Sequence, residues 1–382
     1  MKEGWVVKKL GEVCDFQGGS QPPKDEWISE PREGYIRMLQ IRDFTQSRSA
    51  DIEYVKITNR LKYCEKDDIL LGRYGASVGK VLTGLSGAYN VAIMKTIPNH
   101  SLIEKPLLKY FLLSNSFQSF LQNASTMRAA QAGFSKEDIQ DYPIPIPPLS
   151  LQSRIVLELD GIHSIIEKKR EQLKQLDALA QSIFYDMFGD PIQNEKGWEV
   201  KKLGEVAEIS SGGTPSRKNP DYFTGNINWY SAGELNSLYL PDSIEKITEQ
   251  AIEESSAKIF KRNSLMVGMY DTAAFKMGIL TKDAASNQAC ANVDLFSDNV
   301  VWLYYLLNLM KEEALKHRHG ARQKNLNVGF IKSFPIPLPP LSLQQTFAAK
   351  IEAIEKQKEL IKQSIVEVET LLASRMQFYF DA

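Results

Sequence analysis

Two long segments of the chain place an apolar residue at alternating steps of four and three. An apolar repeat of about 3.5 residues, sustained over many turns, is typical of helices that pair along a supercoiled seam. We therefore predict two paired helices of about 38 residues, each roughly 57 Å long at about 1.5 Å per residue. The predicted seam positions are Ile155, Leu159, Ile162, Ile166, Lys169, Leu173, Leu176, Ala180, Ile183 and Met187 in the first helix, and Phe347, Ile351, Ile354, Lys358, Ile361, Ile365, Val368, Leu372, Arg375 and Tyr379 in the second.

Shorter patterns outside these helices predict heads that mix sheet and helix. The β-rich runs YIRMLQI (35–41), DILLG (68–72) and SLMVGMY (264–270) come before the helical runs LLKYFLLSNSFQSFLQ (107–122) and VVWLYYLLNLMKEEALK (300–316). Short strands followed by apolar helical runs indicate an α+β class.

The chain is an internal duplication. YPIPIPPLSLQ at 142–152 returns as FPIPLPPLSLQ at 334–344, and GWVVKKLGEV at 4–13 returns as GWEVKKLGEV at 197–206. The two markers keep almost the same offset, so the sequence consists of two tandem copies of one fold. Between the markers the frame is kept while the loop residues differ, which is expected if the copies contact different things.

The proline phrase marks the junction between a head and its helix. Prolines fix φ and remove backbone donors, so this stretch is predicted to be an extended strap that cannot join the interior of a sheet. Ser150 and Ser342 follow at the position expected of a helix N-cap. The predicted domains are a first head at 1–149, a spacer helix at 150–190, a second head at 191–341 and a second spacer helix at 342–382.

Connectivity predicts the direction of the helices. Helix one leaves the first head toward the second, and helix two must run back in order to pack against it. We therefore expect an antiparallel coiled-coil spacer that joins two similar mixed α/β heads, related by a pseudo-twofold axis. Duplex DNA has twofold axes of its own, so such a protein suits two half-sites at a fixed gap. A ruler of roughly 57 Å spans at most about 17 base pairs.

Composition agrees with a soluble protein of more than one domain. The 382 residues are 43% hydrophobic and 24% charged, and no stretch approaches the length of a signal peptide core or a membrane span. Three scattered cysteines, Cys14, Cys64 and Cys290, suggest reduced thiols, and we expect a cytoplasmic protein with no membrane partner. The formal net charge of −1 requires any DNA contact to rest on local positive charge or on partner subunits.

Several motifs together carry a family resemblance. They are the paired GW-x-VKKLGEV openings, the paired PIP-x-PPLSLQ exits, GGTPSRKNPDYF (212–223) and FYDMFGDPIQNEKGWEVKKLGEV (184–206). With these motifs, essentially the whole chain resembles the specificity subunit of Type I restriction–modification systems. The resemblance implies a non-catalytic reader of a bipartite target in double-stranded DNA. It also implies that the helices dock two methyltransferase subunits and, in the complete complex, restriction subunits, which hold the cofactor and ATP sites.

Candidate DNA contacts lie in loops of each copy. In the basic run KHRHGARQKN (316–325), cations suit phosphates and amides suit adenine edges, although a solvated loop would look the same. Its counterpart in the first copy is ASTMRAAQAG (124–133), and a second loop pair is GRYGASVGK (72–80) with GMYDTAAFK (268–276). Arg37 and Arg42 occupy the frame of Asn228 and Gly233. The candidates are Arg37, Arg42, Arg73, Tyr74, Lys80, Arg128, Gln131, Tyr270, Lys276, Lys316, Arg318, Arg322, Gln323, Lys324 and Asn325.

No catalytic, cofactor or metal motif emerges. GRYGASVGK has the wrong spacing for a phosphate-binding loop, and its counterpart loses the glycines. NPDY (219–222) lacks the glycine-rich strand that a methyltransferase needs, and the four histidines have no ligand spacing. We expect no enzyme activity and no cofactor. The alternative to a DNA reader is a coiled-coil adaptor whose heads bind proteins, which the near-neutral charge favours slightly.

Overall fold

The computed structural model describes residues 3–46, 51–126, 133–316 and 325–381. The chain divides into two compact units: residues 1–170 with 363–382 form the first, and residues 171–362 form the second. Each unit contains one head and a part of each long helix. The division into recognition domains and spacer helices at residues 149, 190 and 341 stays a prediction.

The described part of the first unit contains ten short strands and several helices. Its strands are β1 Val6–Lys9, β2 Cys14–Gly18, β3 Tyr35–Leu39, β4 Tyr54–Lys56, β5 Tyr63–Cys64, β6 Leu70–Gly72, β7 Val81–Leu82, β8 Gly87–Tyr89, β9 Ile93–Pro98 and β10 Pro143–Ile146. Its helices are α1 Leu10–Val13, α2 Ile41–Thr45, α3 Lys105–Leu113, α4 Asn115–Thr126, α5 Lys136–Ile139 and the first part of α6 Leu149–Phe188.

The second unit repeats most of this order. Its strands are β11 Glu199–Lys202, β12 Ala207–Ser211, β13 Ile227–Tyr230, β14 Glu245–Ile247, β15 Leu265–Gly268, β16 Met277–Ile279, β17 Ala285–Ser286, β18 Cys290–Leu295 and β19 Pro335–Leu338. Its helices are α7 Leu203–Val206, α8 Glu249–Glu253, α9 Val300–Leu309, α10 Lys311–Lys316, α11 Val328–Ser333 and the first part of α12 Leu341–Phe380.

The two heads share one sheet topology. In each head, four antiparallel strands form one sheet, in the order β2-β9-β6-β7 and β12-β18-β15-β16. A second sheet contains one parallel pair in each head, β3 with β8 and β13 with β17. The prediction of two similar heads that mix sheet and helix is confirmed.

The proline phrase forms an edge strand. β10 pairs antiparallel with β1, and β19 pairs in the same way with β11, each as a two-stranded ribbon. Successive residues of a strand point their backbone groups to opposite edges. Prolines at every second position therefore remove the N–H donors from one edge of the strand and leave the N–H donors on the other edge in place. Ile144 and Ile146 are buried, while Pro143 is exposed. The extended strap is therefore confirmed, and it lies outside any sheet interior.

The long helices follow the predicted stripe. Each contains 40 residues, and every predicted seam position is buried or half-buried. Two of the polar seam residues have partners: Lys358 Nζ lies 2.7 Å from both Asp177 and Glu355, and Arg375 pairs with Glu158. Among the described residues, no helix is long and apolar enough to cross a membrane.

Both units show the two helices running in opposite directions. In the first unit, Glu158 contacts Arg375 while the later residue Arg170 contacts the earlier Glu369, at 2.8 Å. In the second unit, Asp177 pairs with Lys358, and the later residue Phe184 packs on the earlier Phe347. The predicted antiparallel pairing is confirmed within each unit.

The start of each helix differs slightly from the prediction. The helices begin at Leu149 and Leu341, so Ser150 and Ser342 lie inside the first turn and not at the N-cap. The N–H groups of Leu151 and Leu343 donate to the carbonyls of Pro148 and Pro340, at 2.8 Å and 2.9 Å. Proline is tolerated at a helix start because that position has no need of an N–H. The serine prediction was therefore wrong, because the residue before each helix is a proline that lies two positions before the serine.

The end of each long helix completes the core of the head at which it ends. Phe380 is 4% exposed and packs edge-on against Phe111, with ring centroids 6.1 Å apart. Phe188 occupies the equivalent place in the second unit and packs against Phe347. The first unit therefore needs the last residues of the chain for its core.

Replacing the buried ring at the C-terminus tests this dependence. We expect Phe380→Ala to lower the free energy of unfolding of the first unit by about 3–5 kcal/mol, the usual cost of emptying a buried aromatic site. The measurement is urea unfolding, with hydrogen exchange used to assign the loss to α3 and α4. The matched control is Phe378→Ala, because Phe378 is 51% exposed and should change stability by no more than about 0.5 kcal/mol. Equal effects of the two substitutions would contradict this account.

A second prediction concerns acid stability of the first unit. Glu158 accepts hydrogen bonds from Arg375 and, at 2.7 Å, from Tyr379. The bond from Arg375, helped by the bond from Tyr379, lowers the pKa of Glu158 below its usual value near 4.5, although partial burial opposes this. A carboxyl group with a lowered folded pKa stabilises the fold above its unfolded pKa, and this contribution is lost as the pH falls through the folded pKa.

We therefore expect Glu158→Gln to lower the melting temperature most between pH 6 and 7. The difference from the unmodified protein should shrink as the pH approaches 3. Scanning calorimetry across this range is the measurement, and Glu367→Gln, at an exposed position of α12, is the control. A difference between Glu158→Gln and the unmodified protein that stays constant from pH 7 to pH 3 would show that ionisation of Glu158 is not involved.

Candidate nucleic-acid interface

In the first unit, two candidate loops lie against each other. The turn from Arg73 to Lys80 joins β6 to β7, and Tyr74 forms a β-bridge with Gly133. The N–H of Phe134 donates to the carbonyl of Arg73 at 3.3 Å, and Arg73 Nε donates back to the carbonyl of Phe134 at the same distance. The fold therefore brings the 72–80 turn beside the end of the 124–133 segment.

Helix α4 supports this turn. Gln118 Nε2 donates to the carbonyl of Gly79 at 2.9 Å, and Gln122 Nε2 donates to the carbonyl of Val78 at 3.1 Å. Both glutamines lie on one face of the helix, four residues apart. The sequence analysis did not select these two glutamines. Their spacing of four residues within the predicted helical run 107–122 was the available signal.

The second unit builds the same arrangement. The turn from Met269 to Lys276 joins β15 to β16, and the N–H of Leu326 donates to the carbonyl of Met269 at 2.8 Å. Leu326 follows Asn325, the last residue of the basic run. The second turn therefore also lies beside the segment that follows its head helices.

The backbone frame of the two turns is the same. Four hydrogen bonds recur between equivalent residues, at 2.8–3.2 Å. In the first unit the N–H groups donate to carbonyls in the pairs Gly72 to Lys80, Gly79 to Gly72, Ser77 to Tyr74 and Lys80 to Ser77. In the second unit the equivalent pairs are Gly268 to Lys276, Phe275 to Gly268, Ala273 to Tyr270 and Lys276 to Ala273. Tyr74 and Tyr270, and likewise Lys80 and Lys276, therefore occupy equivalent places.

One turn position has a backbone conformation that favours glycine. Gly79 has φ of +79°, and its equivalent, Phe275, has φ of +58°. A bulky residue at positive φ is rare and is held in place by its surroundings. Phe275 is buried and packs on Phe334, with ring centroids 5.8 Å apart. Packing therefore stabilises in the second head a turn that glycine makes easily in the first.

The exposed groups on the two turns differ. Arg73 is half-buried with its guanidinium 5.1 Å from the centroid of the Tyr74 ring, whereas its equivalent, Met269, is buried. Lys80 is exposed, and Tyr270 is 38% exposed. The same frame thus presents different chemistry in the two heads.

Two other candidates are engaged in internal ion pairs. Arg37 donates to the buried carboxylate of Asp43 at 2.7 Å, and Arg42 contacts Glu53 at 2.5 Å. Burial opposes the ionisation of Glu53, but hydrogen bonds from Lys24 and Gln40 outweigh it and lower its pKa. Asn228, in the frame of Arg37, is buried beside Tyr230 and Asp242. These positions stabilise the second sheet of each head, and a DNA contact from Arg37 or Arg42 stays a prediction.

The remaining candidates lie at or beyond the edges of the described residues. Arg128, Gln131, Arg318, Arg322, Gln323 and Lys324 lie outside the described residues. Lys316 ends α10 and pairs with Glu313 at 2.5 Å, and that hydrogen bond raises the pKa of Lys316. Asn325 is half-buried beside Leu326.

The sequence analysis also missed a pair of cations at equivalent positions. Lys24 lies 3.8 Å from the centroid of the Trp27 ring and pairs with Glu53. Arg217 lies 4.2 Å from the Phe223 ring and donates twice to Glu245, at 2.5 Å and 2.7 Å. The double glycine before each cation, at 18–19 and 212–213, was the available signal. Within the described ranges, no three His, Cys, Asp or Glu side chains gather to hold a metal ion.

Both copies of the duplicated architecture match one known protein family. A family described as the Type I restriction modification DNA specificity domain matches residues 2–176 and again residues 195–370. The chain belongs to this family. The two matches coincide with the two copies found from the sequence, so the duplication is a duplication of the specificity domain.

Curated relatives agree with the specificity-domain assignment, and solved structures have a similar fold. The Type I restriction enzyme MjaVIII specificity subunit of Methanocaldococcus jannaschii is 24% identical over 97% of this chain and 92% of its own length. The EcoR124I/EcoR124II specificity subunit of Escherichia coli is 24% identical over 72% of this chain and 70% of its own length. The Type-I restriction-modification system S subunit from M. genitalium has a TM-score of 0.56 at 12% identity, covering 99% of this chain and 96% of that one.

A fourth similar chain comes from a structural study of complex assembly and conformational transition of the type I R-M system. It has a TM-score of 0.63 at 18% identity and covers 99% of this chain and 97% of that one. At this level of identity the likeness concerns the fold.

The contact between the two loops of the first specificity domain is open to a direct test. A Cβ atom at Gly133 would lie 2.4 Å from Tyr74 Cδ1 and 2.8 Å from the Arg73 carbonyl oxygen, so Gly133→Ala must push the loops apart. We expect it to destabilise the first unit by about 1–3 kcal/mol. Hydrogen exchange at residues 73–80 should become faster.

The matched control makes the same chemical change where there is space. Gly161 lies in α6 with nothing within 4 Å of the added Cβ, so Gly161→Ala should stabilise the helix by about 0.5–1 kcal/mol. Unchanged exchange at residues 73–80 in the Gly133→Ala protein would contradict the loop contact.

Proposed function

We propose that this chain is the DNA-reading specificity subunit of a Type I restriction–modification complex, in which each head reads one half of a bipartite target in double-stranded DNA. One observation carries the proposal: the two heads hold a turn with the same hydrogen-bond frame and place different side chains on it. A reader of two different half-sites needs a common scaffold and different contacts.

The shared and the divergent residues suit different parts of DNA. Phosphates are the same at every base pair, so contacts to them serve both heads equally. The equivalent pairs Tyr74 with Tyr270 and Lys80 with Lys276 fit this role, since hydroxyl and ammonium groups both donate to phosphate oxygens. Base edges differ between half-sites, and their readers should differ as well. Arg73, which has no cationic equivalent in the second head, fits a base contact.

The exposed faces of the long helices suit protein partners. Leu157, Leu360 and Val366 are 71%, 59% and 61% exposed on α6 and α12. A protein partner bound along these helices would remove this exposed apolar area from water. We propose that these faces dock two modification subunits, together with restriction subunits in the complete complex. The chemistry of methyl transfer and DNA cleavage then belongs to those partners, and this chain performs recognition alone.

Selection from a randomised DNA library tests the proposed function. The chain is purified with its modification subunits and presented with random half-sites separated by random gaps. The expected result is enrichment of one bipartite motif with a fixed gap. A library that shows no sequence enrichment, with or without the modification subunits, would favour the protein adaptor instead.

Two substitutions separate phosphate contact from base reading. Lys276→Gln should weaken binding to all sequences alike and reduce the slope of log affinity against log salt by about 1. Arg73→Met should instead change the preferred bases in the half-site that the first head reads. Titration of labelled DNA at several salt concentrations measures the first effect, and repeated selection measures the second.

A matched control comes from a cation outside the loop pair. Lys8 lies on β1 and pairs with Glu12 at 3.9 Å, and Lys8→Gln should leave both the salt slope and the motif unchanged. A loss of base preference in the Lys276→Gln protein, or a uniform loss of affinity in the Arg73→Met protein, would reverse the assigned roles.

A further inference from the structure

A buried glutamine ties the start of α6 to the first head. Gln152 is fully buried, and its side-chain amide makes three hydrogen bonds. Its Oε1 accepts from the N–H of Glu104 at 2.8 Å, and its Nε2 donates to the carbonyls of Leu102 at 2.8 Å and Pro147 at 3.0 Å. Glu104 is the N-cap residue of α3. One amide therefore joins the long helix, the proline strap and the start of α3 in the head.

The second unit repeats this connection at Gln344. Gln344 is also fully buried, and its Oε1 accepts from the N–H of Asn299, the N-cap residue of α9, at 2.9 Å. Its Nε2 donates to the carbonyl of Pro339 at 2.9 Å and to the carboxylate of Asp298 at 2.8 Å. One partner has changed from a backbone carbonyl to a side chain, yet the amide has kept its place and its three bonds. The glutamine closes the repeated phrase PPLSLQ in both copies.

Three simultaneous bonds fix the direction in which the helix leaves the head. A planar amide offers its acceptor and its donors in set directions, so its partners on the proline strap and at the start of the head helix are satisfied together in only one placement of the long helix. Water cannot substitute for a lost partner, because the group is fully buried. A tilt of the long helix would leave at least one buried polar group without a partner in that unit.

We propose that Gln152 and Gln344 are positioning residues that fix each head to its helix and thereby set the single gap, between the two halves of the DNA target, that the subunit accepts. The inference rests on the proposed function. In this scheme the length of the helices sets how many base pairs separate the two half-sites, and the two amides set how far that number can vary. Neither glutamine contacts DNA in this scheme.

The test compares DNAs that carry the preferred half-sites with the gap lengthened or shortened by one base pair. The proteins are complexes of the full chain with its modification subunits, carrying Gln152→Met, Gln344→Met or both. Methionine has a similar length and forms none of the three bonds. We expect the discrimination against a wrong gap to fall by about tenfold in the double variant, while the preferred bases in each half-site stay the same.

Matched controls remove a buried hydrogen bond inside each head. Thr96 Oγ1 donates to the carbonyl of Ile69 at 2.9 Å, and Ser264 Oγ donates to the carbonyl of Lys261 at 2.8 Å. Thr96→Val and Ser264→Ala should lower thermal stability and leave the gap preference unchanged. Should the double variant fail to fold, the two single variants carry the test.

A conservative variant separates positioning from a general loss of stability. In the Gln152→Glu protein, an ionised carboxylate loses both donated bonds, whereas a protonated carboxyl regains one. Its gap discrimination should therefore recover in part as the pH is lowered from 8 to 5.5, while that of the Gln152→Met protein should not.

Two results would overturn the proposal. The first is a folded double variant that keeps the gap discrimination of the unmodified protein, and the second is a variant that loses base preference to the same degree as gap preference. If the unmodified complex itself enriches no bipartite motif, the proposed function fails before the glutamines are tested. The two failures are thus distinguishable.

Discussion

The burial of aromatic residues from the end of a long helix is the interaction on which each unit depends. Phe380 enters the core of a head whose other residues lie more than two hundred positions earlier in the chain. Phe188 enters the core of the second head, whose residues follow it in the chain, and packs beside Phe347 at the start of the other helix. Neither head has a complete core from its own repeat alone. Because the cores join segments that are remote in sequence, folding of each head and pairing of the helices are expected to be one cooperative event.

Duplication explains how one fold can present two chemistries. The turn after β6 and the turn after β15 keep four hydrogen bonds, a tyrosine and a lysine. Between these fixed points, Gly79 in one copy and Phe275 in the other hold the same left-handed backbone by different means. A frame fixed by backbone hydrogen bonds tolerates changes of side chain that a frame fixed by side-chain packing would not. The heads were therefore able to diverge at their loops without losing their architecture.

The sequence predicted what depends on periodicity and repetition. The stripe from Ile155 to Met187 and its second copy need only the 3.5-residue spacing, and connectivity then gives the antiparallel direction. Contacts of individual side chains with other parts of the fold have no comparable pattern in the sequence. Nothing around Arg37 indicates that Asp43 is buried beneath it, and nothing in PPLSLQ indicates that the final glutamine reaches the N-cap of α3 or α9. Ser150 failed as an N-cap because the helix begins directly after Pro148, two residues before Ser150, where no N–H is needed.

Internal ion pairs bear on how a chain of net charge −1 would hold DNA. Lys24, Arg42 and Arg37 are matched by Glu53 and Asp43, and Lys105 is matched by Asp67 and Asp68. A cation held by a carboxylate adds little to the field that a phosphate meets, since the pair is nearly neutral at a distance. Lys80, by contrast, is exposed at the end of its turn. A chain of net charge −1 that binds DNA therefore depends on where such cations lie, and a partner subunit that added positive charge would strengthen the binding. Specificity and affinity would then have different sources, because base edges differ along the duplex while the phosphates that attract positive charge are the same at every base pair.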